Sequence, residues 1–232
     1  MSVIILLAGD IGTGKTAQGM KYLDGYGMRK VLIDLEHKAQ ATFDAQKREG
    51  HLEDDVDIKP VRIFTPSFKV DHKATFAEVF KVQNEIITSD LYDVIIIDSV
   101  TCLRNSICSD FFCAETGNKT VGERNYVYVN EFVRQFVEPL VMYCKCRHRV
   151  LIMISHMKDI YQTISKEEKV VIGSEPAIHK ELAHLADVVV ELKGDAENRY
   201  SAVCTRSPVG KWTEDISDNK SLSDLFATRM II

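Results

Sequence analysis

At 232 residues, 45% hydrophobic and 27% charged, the chain has an ordinary globular composition and enough length to bury a sizeable core without disulfides or metals. The formal charge of -5 excludes a protein that coats nucleic acid by bulk electrostatics, while leaving room for a local basic loop. No apolar run approaches the roughly 20 residues that span a bilayer, so the expectation is a protein with no membrane partner.

The 12 glycines and 5 prolines are scattered, and no repeat, low-complexity tract or linker divides the chain, which reads as a single domain over 1–232. Met1-Ser2 leads straight into an apolar strand, with no basic region or cleavage site ahead of it; a cytoplasmic location is expected. The six cysteines, at 102, 108, 113, 144, 146 and 204, form no CxxC pair and no zinc-finger spacing, and read as reduced thiols.

The first predicted strand is Val3–Ala8. Directly after it, Gly9-Asp10-Ile11-Gly12-Thr13-Gly14-Lys15-Thr16 satisfies G-x-x-x-x-G-K-[ST] in full, and Thr16 to Tyr22 reads as the helix that must follow. The residue types have physical reasons. The glycines let backbone N–H groups curl around phosphates, and the helix that continues through Ala17 points its positive end at them. Lys15 neutralises the outer phosphates, and the Thr16 hydroxyl is a ligand for Mg²⁺. The expected ligands are therefore ATP and Mg²⁺.

Val31 to Glu36 is the next strand. Glu36 ends it at the edge and is the favoured residue to orient an attacking water; Asp34, two residues earlier on the same side, is its rival. Ile58 to Phe64 is predicted as a strand and Ala74 to Ile87 as a helix. Val94–Asp98 then carries four consecutive apolar residues into an acid, the form of a strand buried on both faces that delivers a carboxylate to the sheet's carboxyl edge. Asp98 is the second metal residue, holding Mg²⁺ through a water opposite Thr16. Many P-loop ATPases place a glutamate next, but here Ser99 follows, so the base must come from elsewhere.

Asn130 to Cys144 places Phe132, Val133, Phe136, Val137, Leu140 and Val141 on one helical stripe, with Pro139 a potential kink. The basic group Lys145-Cys146-Arg147-His148-Arg149 suits the helix's C-terminus. Val150 to Ser155 is another apolar strand, followed by His156, which is placed to sense a γ-phosphate or merely to cap the strand end. Asp187–Lys193 and Tyr200–Thr205, split by Gly194–Asn198, read as an antiparallel hairpin; no element is predicted beyond Trp212. The whole is an α/β fold, a mostly parallel central sheet with helices on both faces and a C-terminal antiparallel hairpin.

Ile33-Asp34-Leu35-Glu36-His37 and Ile97-Asp98-Ser99-Val100 resemble the corresponding strands of RecA, and the order of elements is similar over roughly the first 205 residues. The run Gly173 to Asp187 looks more like the short, single-domain RecA-like ATPases of phages and archaeal viruses that are linked to single-strand annealing and recombination. The resemblance implies Glu36 as base and His156 as nucleotide sensor, where RecA itself carries glutamine. It further implies that Thr101–Asn125 and Met157–Ile178 are two DNA-facing loops, with Arg104, Lys119, Arg124, Lys158, Lys166 and Lys169 as cations and Tyr126, Tyr128 or Tyr161 as stacking faces for single-stranded DNA. It also implies a homo-oligomer, ring or filament, with the nucleotide between subunits and a basic residue from the neighbour completing the site. Arg206 is the candidate finger, with Lys180, Lys193 and Lys211 behind it. RecA's additional terminal domains have no counterpart. Two other readings stay open at this point: a regulatory or assembly ATPase switched by nucleotide without acting on DNA, and a P-loop kinase.

Overall fold

The computed structural model describes residues 2–163, 169–194, 200–216 and 221–228. In chain order the elements are β1 (Val3–Gly9), α1 (Lys15–Lys21), β2 (Lys30–Asp34), α2 (Ala39–Arg48), β3 (Val56–Pro60), α3 (His72–Ser89) and β4 (Val94–Asp98). Next, α4 (Val100–Cys102) runs through a π-helical stretch (Leu103–Cys108) into α5 (Ser109–Thr116). After these come α6 (Tyr126–Arg147), β5 (Val150–Thr163), β6 (Lys169–Pro176), α7 (Lys180–Leu185), β7 (Val188–Gly194), β8 (Tyr200–Arg206), β9 (Trp212–Ile216) and α8 (Leu222–Thr228).

The strands lie in the order β3-β2-β4-β5-β1-β7-β8-β9, with β6 paired to β5. From β3 to β7 every neighbour is parallel; β7, β8 and β9 are antiparallel. Alternation along each strand separates two cores. Ile4, Leu6, Ile33, Ile95, Ile97, Leu151 and Met153 face α3, α5, α6 and α7. Their chain neighbours Ile5, Leu7, Leu32, Ile96, Ile152 and Ile154 face the opposite layer, which includes Met20 of α1, Ala39 of α2 and Phe226 of α8. The continuous apolar runs are thus strands covered on both faces, as their composition requires.

The helices form for local reasons. In α6, Val129, Val133, Phe136, Val137, Leu140, Val141 and Cys144 are buried at helical spacing, and the helix continues through Pro139. The Asp71 carboxylate caps α3 by accepting from the N–H of Ala74 at 3.0 Å. At the C-terminal end of α6, Arg147 pairs with Asp90 and Arg149 with Asp93, so part of the basic group is anchored to the turn before β4.

Several expected boundaries move. The strand expected over Ile58–Phe64 is β3, Val56–Pro60; Pro60 has no N–H to continue a ladder, and Phe64 instead pairs with Val70 in a separate turn. Strand β2 stops at Asp34, before Glu36, because the Asp34 carboxylate takes the backbone N–H groups of Glu36, Lys38 and Ala39 at 3.2, 3.3 and 3.1 Å and turns the chain.

The segment Thr101–Asn125, expected as a loop, is largely helical. Ser99 caps it by accepting from the N–H of Cys102 at 3.1 Å, and Leu103, Ile107, Cys108 and Phe112 are buried. Within the segment Met157–Ile178, also expected as a loop, Met157–Thr163 continues β5 and pairs antiparallel with β6, Lys169–Pro176. The C-terminal hairpin is present as β7–β8 and gains a third strand, β9, whose Trp212 packs edge-on against Phe226. Lys166 and residues 195–198 lie outside the described residues. Among the described residues no helix is long and apolar enough to cross a membrane.

Candidate functional site: a phosphate loop at the carboxyl edge of the sheet

Strands β1, β2 and β4 end side by side, level with His156 of β5: Gly9 pairs with His156 and Asp34 with Asp98. The loop after β1 and the turns after the others therefore meet at one edge, where parallel sheets of this kind hold ligands. They line a cleft of about 760 Å³ built from Asp10, Ile11, Gly12, Gly14, Lys15, Thr16, Ala17, Glu36, Lys38, Thr42, Asp98, His156 and Met157.

The phosphate loop has the backbone its sequence calls for. Gly12 and Gly14 sit at φ of 84° and 77°, a region that side chains with a Cβ rarely adopt. A Cβ at Gly9 would stand 2.6 Å from Thr13 Oγ1 and 2.7 Å from the Leu192 carbonyl oxygen, so the loop can pass β7 only with glycine there. Ile11, at the tip, is 89% exposed. Lys15 is buried, and its ammonium donates to the carbonyls of Gly9 at 2.9 Å and Asp10 at 2.5 Å. Burial lowers its pKa, opposed by the charges of Asp98, Glu36 and Asp10.

Asp98 is 6% exposed and accepts from the Thr16 hydroxyl at 2.7 Å. Burial, helped by the charges of Glu36 and Asp34, raises its carboxyl to about 6 against the Thr16 hydrogen bond. A cation beside it would relieve that penalty. The donor set suits Mg²⁺: a hydroxyl and a carboxylate, both hard oxygens, at one point of the cleft. Among the described residues no group of three or more His, Cys, Asp or Glu is placed to hold a metal ion by itself, so the remaining ligands would be water and phosphate, as Mg²⁺ prefers.

Glu36 is held by one oxygen. Its Oε1 accepts from the Ser99 hydroxyl at 2.5 Å and bonds His156 Nε2 at 2.6 Å, while Oε2 faces the Lys38 ammonium at 3.7 Å. These contacts, the His156 hydrogen bond foremost, hold its carboxyl down at about 2 against the cost of burial. Such a group stays ionised and accepts hydrogen bonds. Asp34, the rival, is 3% exposed, and both its oxygens are engaged with the backbone of the turn that presents Glu36.

His156 links the cleft to the segments beyond it. Its N–H donates to Thr101 Oγ1 at 3.0 Å and its carbonyl accepts from Ala177 N at 2.7 Å. Arg206 stands outside the cleft lining, its guanidinium donating to the carbonyls of Ala183 and Ala186 at the end of α7. Lys193 pairs with Glu191 at 3.7 Å, and Lys211 is exposed. A second cleft, of about 350 Å³, joins Arg104 and Asn105 to Lys158, Glu175, His179 and Lys180. Arg104 also lies 4.8 Å from the ring centroid of Tyr126, Lys158 is 3.1 Å from Glu175, and Lys119, Arg124 and Lys169 are exposed. Tyr128, stacked on Phe112, and Tyr161 are both more than half exposed.

Sequence reasoning passed over two residues that contact Glu36. Ser99 was legible as the residue that replaces the usual glutamate, but its bond to Glu36 depends on the packing of β2 beside β4. Lys38 had as its one signal its place two residues after Glu36.

A parallel sheet that gathers a glycine loop, a lysine, a hydroxyl and carboxylates at its carboxyl edge is a P-loop nucleoside-triphosphate site on a RecA-like α/β fold. A family model described as "AAA domain" matches residues 1–215, and the chain belongs to that family. It is accordingly a P-loop NTPase domain with ATP-hydrolysing activity, and membership implies use of ATP with Mg²⁺. Among solved structures, the crystal structure of the RadB recombinase is similar at a TM-score of 0.53 and 14% identity, covering 94% of this chain and 88% of that one. That likeness concerns the fold. None of the curated proteins matches the chain.

Proposed function

We propose that the chain is a Mg²⁺-dependent ATPase of RecA type that acts as a homo-oligomer on single-stranded DNA, in recombination, annealing or repair, in the manner of the short RecA-like ATPases of phages and archaeal viruses. In this reading the backbone of Gly12 to Ala17 and the Lys15 ammonium hold the phosphates, and Thr16 and Asp98 hold Mg²⁺, which neutralises phosphate charge. Glu36 orients the attacking water. The observation that carries the hydrolytic part is the one-sided anchoring of Glu36: with Oε1 fixed by Ser99 and His156, Oε2 is the oxygen left for a water in the cleft. A carboxyl held near 2 acts by orientation more than by storing a proton.

Two arrangements support the DNA part. The second cleft brings Arg104 from the first proposed DNA-facing segment beside Lys158 and Lys180 around the second, and cations so gathered suit a phosphodiester backbone. His156 touches Glu36 with its ring and both segments with its backbone, so a change at the terminal phosphate has a short covalent and hydrogen-bonded route to them.

The test is ATP turnover with Mg²⁺, with and without single-stranded DNA, across a salt series. Stimulation by DNA that fades as salt rises is the expected result. Turnover indifferent to DNA, with no DNA bound at low salt, removes the nucleic-acid role and leaves the ATPase.

A further inference from the structure

We infer that Lys38 supplies, from within the same chain, the cation that faces the terminal phosphate during hydrolysis; the inference rests on the ATPase reading above. Lys38 is the N-cap residue of α2. Its backbone is fixed, since its N–H donates to the buried Asp34 carboxylate at 3.3 Å in the same turn that presents Glu36. Its side chain is 78% exposed, lines the nucleotide cleft and brings its ammonium to 3.7 Å from Glu36 Oε2. That is the oxygen left over when Ser99 and His156 have taken Oε1.

The chemistry follows from this juxtaposition. In hydrolysis a water oxygen bonds to the γ-phosphorus while the bond to the β,γ-bridging oxygen breaks; the electron pair leaves on ADP and the water's proton ends on the released phosphate. Charge spreads over the γ-phosphoryl oxygens as this happens, and a cation beside the water-orienting carboxylate is beside those oxygens too. The other ammonium in the cleft, that of Lys15, reaches the phosphates from the base of the loop, where it donates to the carbonyls of Gly9 and Asp10. Arg206 is committed to the end of α7. Lys38 is the cleft cation whose long exposed arm is attached at the Glu36 side.

An ordinary surface ion pair with Glu36 is the competing role, and such pairs contribute little. The two roles separate in nucleotide binding. Lys38→Met and Lys38→Arg are compared with the parent for kcat, KM and affinity for a non-hydrolysable ATP analogue and for ADP, each with Mg²⁺; the exposed side chain leaves folding intact, checked by thermal melting. A phosphate-facing Lys38 predicts that Lys38→Met lowers kcat at least about tenfold and weakens the analogue about tenfold while sparing ADP, with Lys38→Arg restoring most of both. Loss of kcat with the analogue-to-ADP ratio unchanged assigns Lys38 to holding Glu36 and overturns the inference, as does no change at all. A parent protein that neither binds nor hydrolyses Mg-ATP overturns the ATPase reading itself, and this inference with it.

Discussion

Replacing Asp98 by asparagine is expected to stabilise the nucleotide-free protein at neutral pH while abolishing Mg²⁺-dependent turnover. Asp98 is 6% exposed, and its carboxyl is raised from 3.8 to about 6, by burial first and then by the charges of Glu36 and Asp34. Between those two values the folded protein retains a proton that the unfolded chain has released, so the contribution of this group to stability falls as pH rises through the window and stays low above it. At pH 7.5 the ionised carboxylate costs the folded state about 3 kcal/mol. Asparagine carries no such cost and still accepts from the Thr16 hydroxyl, which now bonds Asp98 Oδ2 at 2.7 Å. For a chain of this size a gain of that order corresponds to a rise in Tm of roughly 6–12 °C. The assay is thermal melting of parent and Asp98→Asn with EDTA from pH 4 to 8: the difference in Tm should grow from pH 4 to 7, and saturating Mg²⁺ and nucleotide should narrow it by stabilising the parent. A difference that is flat with pH, or a variant that melts below the parent at pH 7.5, would refute the reasoning.

Three further substitutions probe the phosphate loop, the contact that holds Glu36 and a buried ammonium at the other edge of the sheet. Gly9→Ala forces a Cβ within 2.7 Å of the Leu192 carbonyl and should destabilise the fold by roughly 1–3 kcal/mol, read as a lower denaturation midpoint in urea. Ser99→Ala removes the 2.5 Å donor to Glu36 Oε1; kcat should fall about tenfold with ATP affinity kept, measured by steady-state turnover beside equilibrium binding. Lys30→Ala leaves Asp24 and Asp54 without the buried ammonium that lies 3.0 and 3.6 Å from them, and chemical denaturation should register a loss of about 3–5 kcal/mol.

Much of this molecule could be read before any coordinates. The central strands were legible because burial on both faces demands unbroken apolar runs, and Val94–Ile97 and Val150–Ile154 are buried throughout. The phosphate loop was legible because its residue types answer a local backbone requirement, met here by the positive φ of Gly12 and Gly14. What failed was where a local pattern is overruled from a distance. Met157–Thr163 falls in a segment that the resemblance to RecA implies to be a loop, yet it continues β5 because β6 supplies it with a partner. Thr101–Asn125 lacks a long apolar stripe, yet Leu103, Ile107 and Phe112 bury themselves against α3 and α6 through a π-helical stretch that shifts the helical register. The roles assigned to Ser99 and Lys38 depend on which strands are neighbours, a property of the sheet order that the residues themselves do not spell out.

Whether the cleft hydrolyses ATP with water oriented by Glu36 is decided by Mg²⁺-dependent ATP turnover of the parent and of Glu36→Gln, with nucleotide binding followed in parallel. Glu36→Gln should bind ATP as the parent does and lose turnover by at least about a hundredfold. Turnover by Glu36→Gln at the parent's rate would contradict it, and would move the water-orienting role to another group in the cleft.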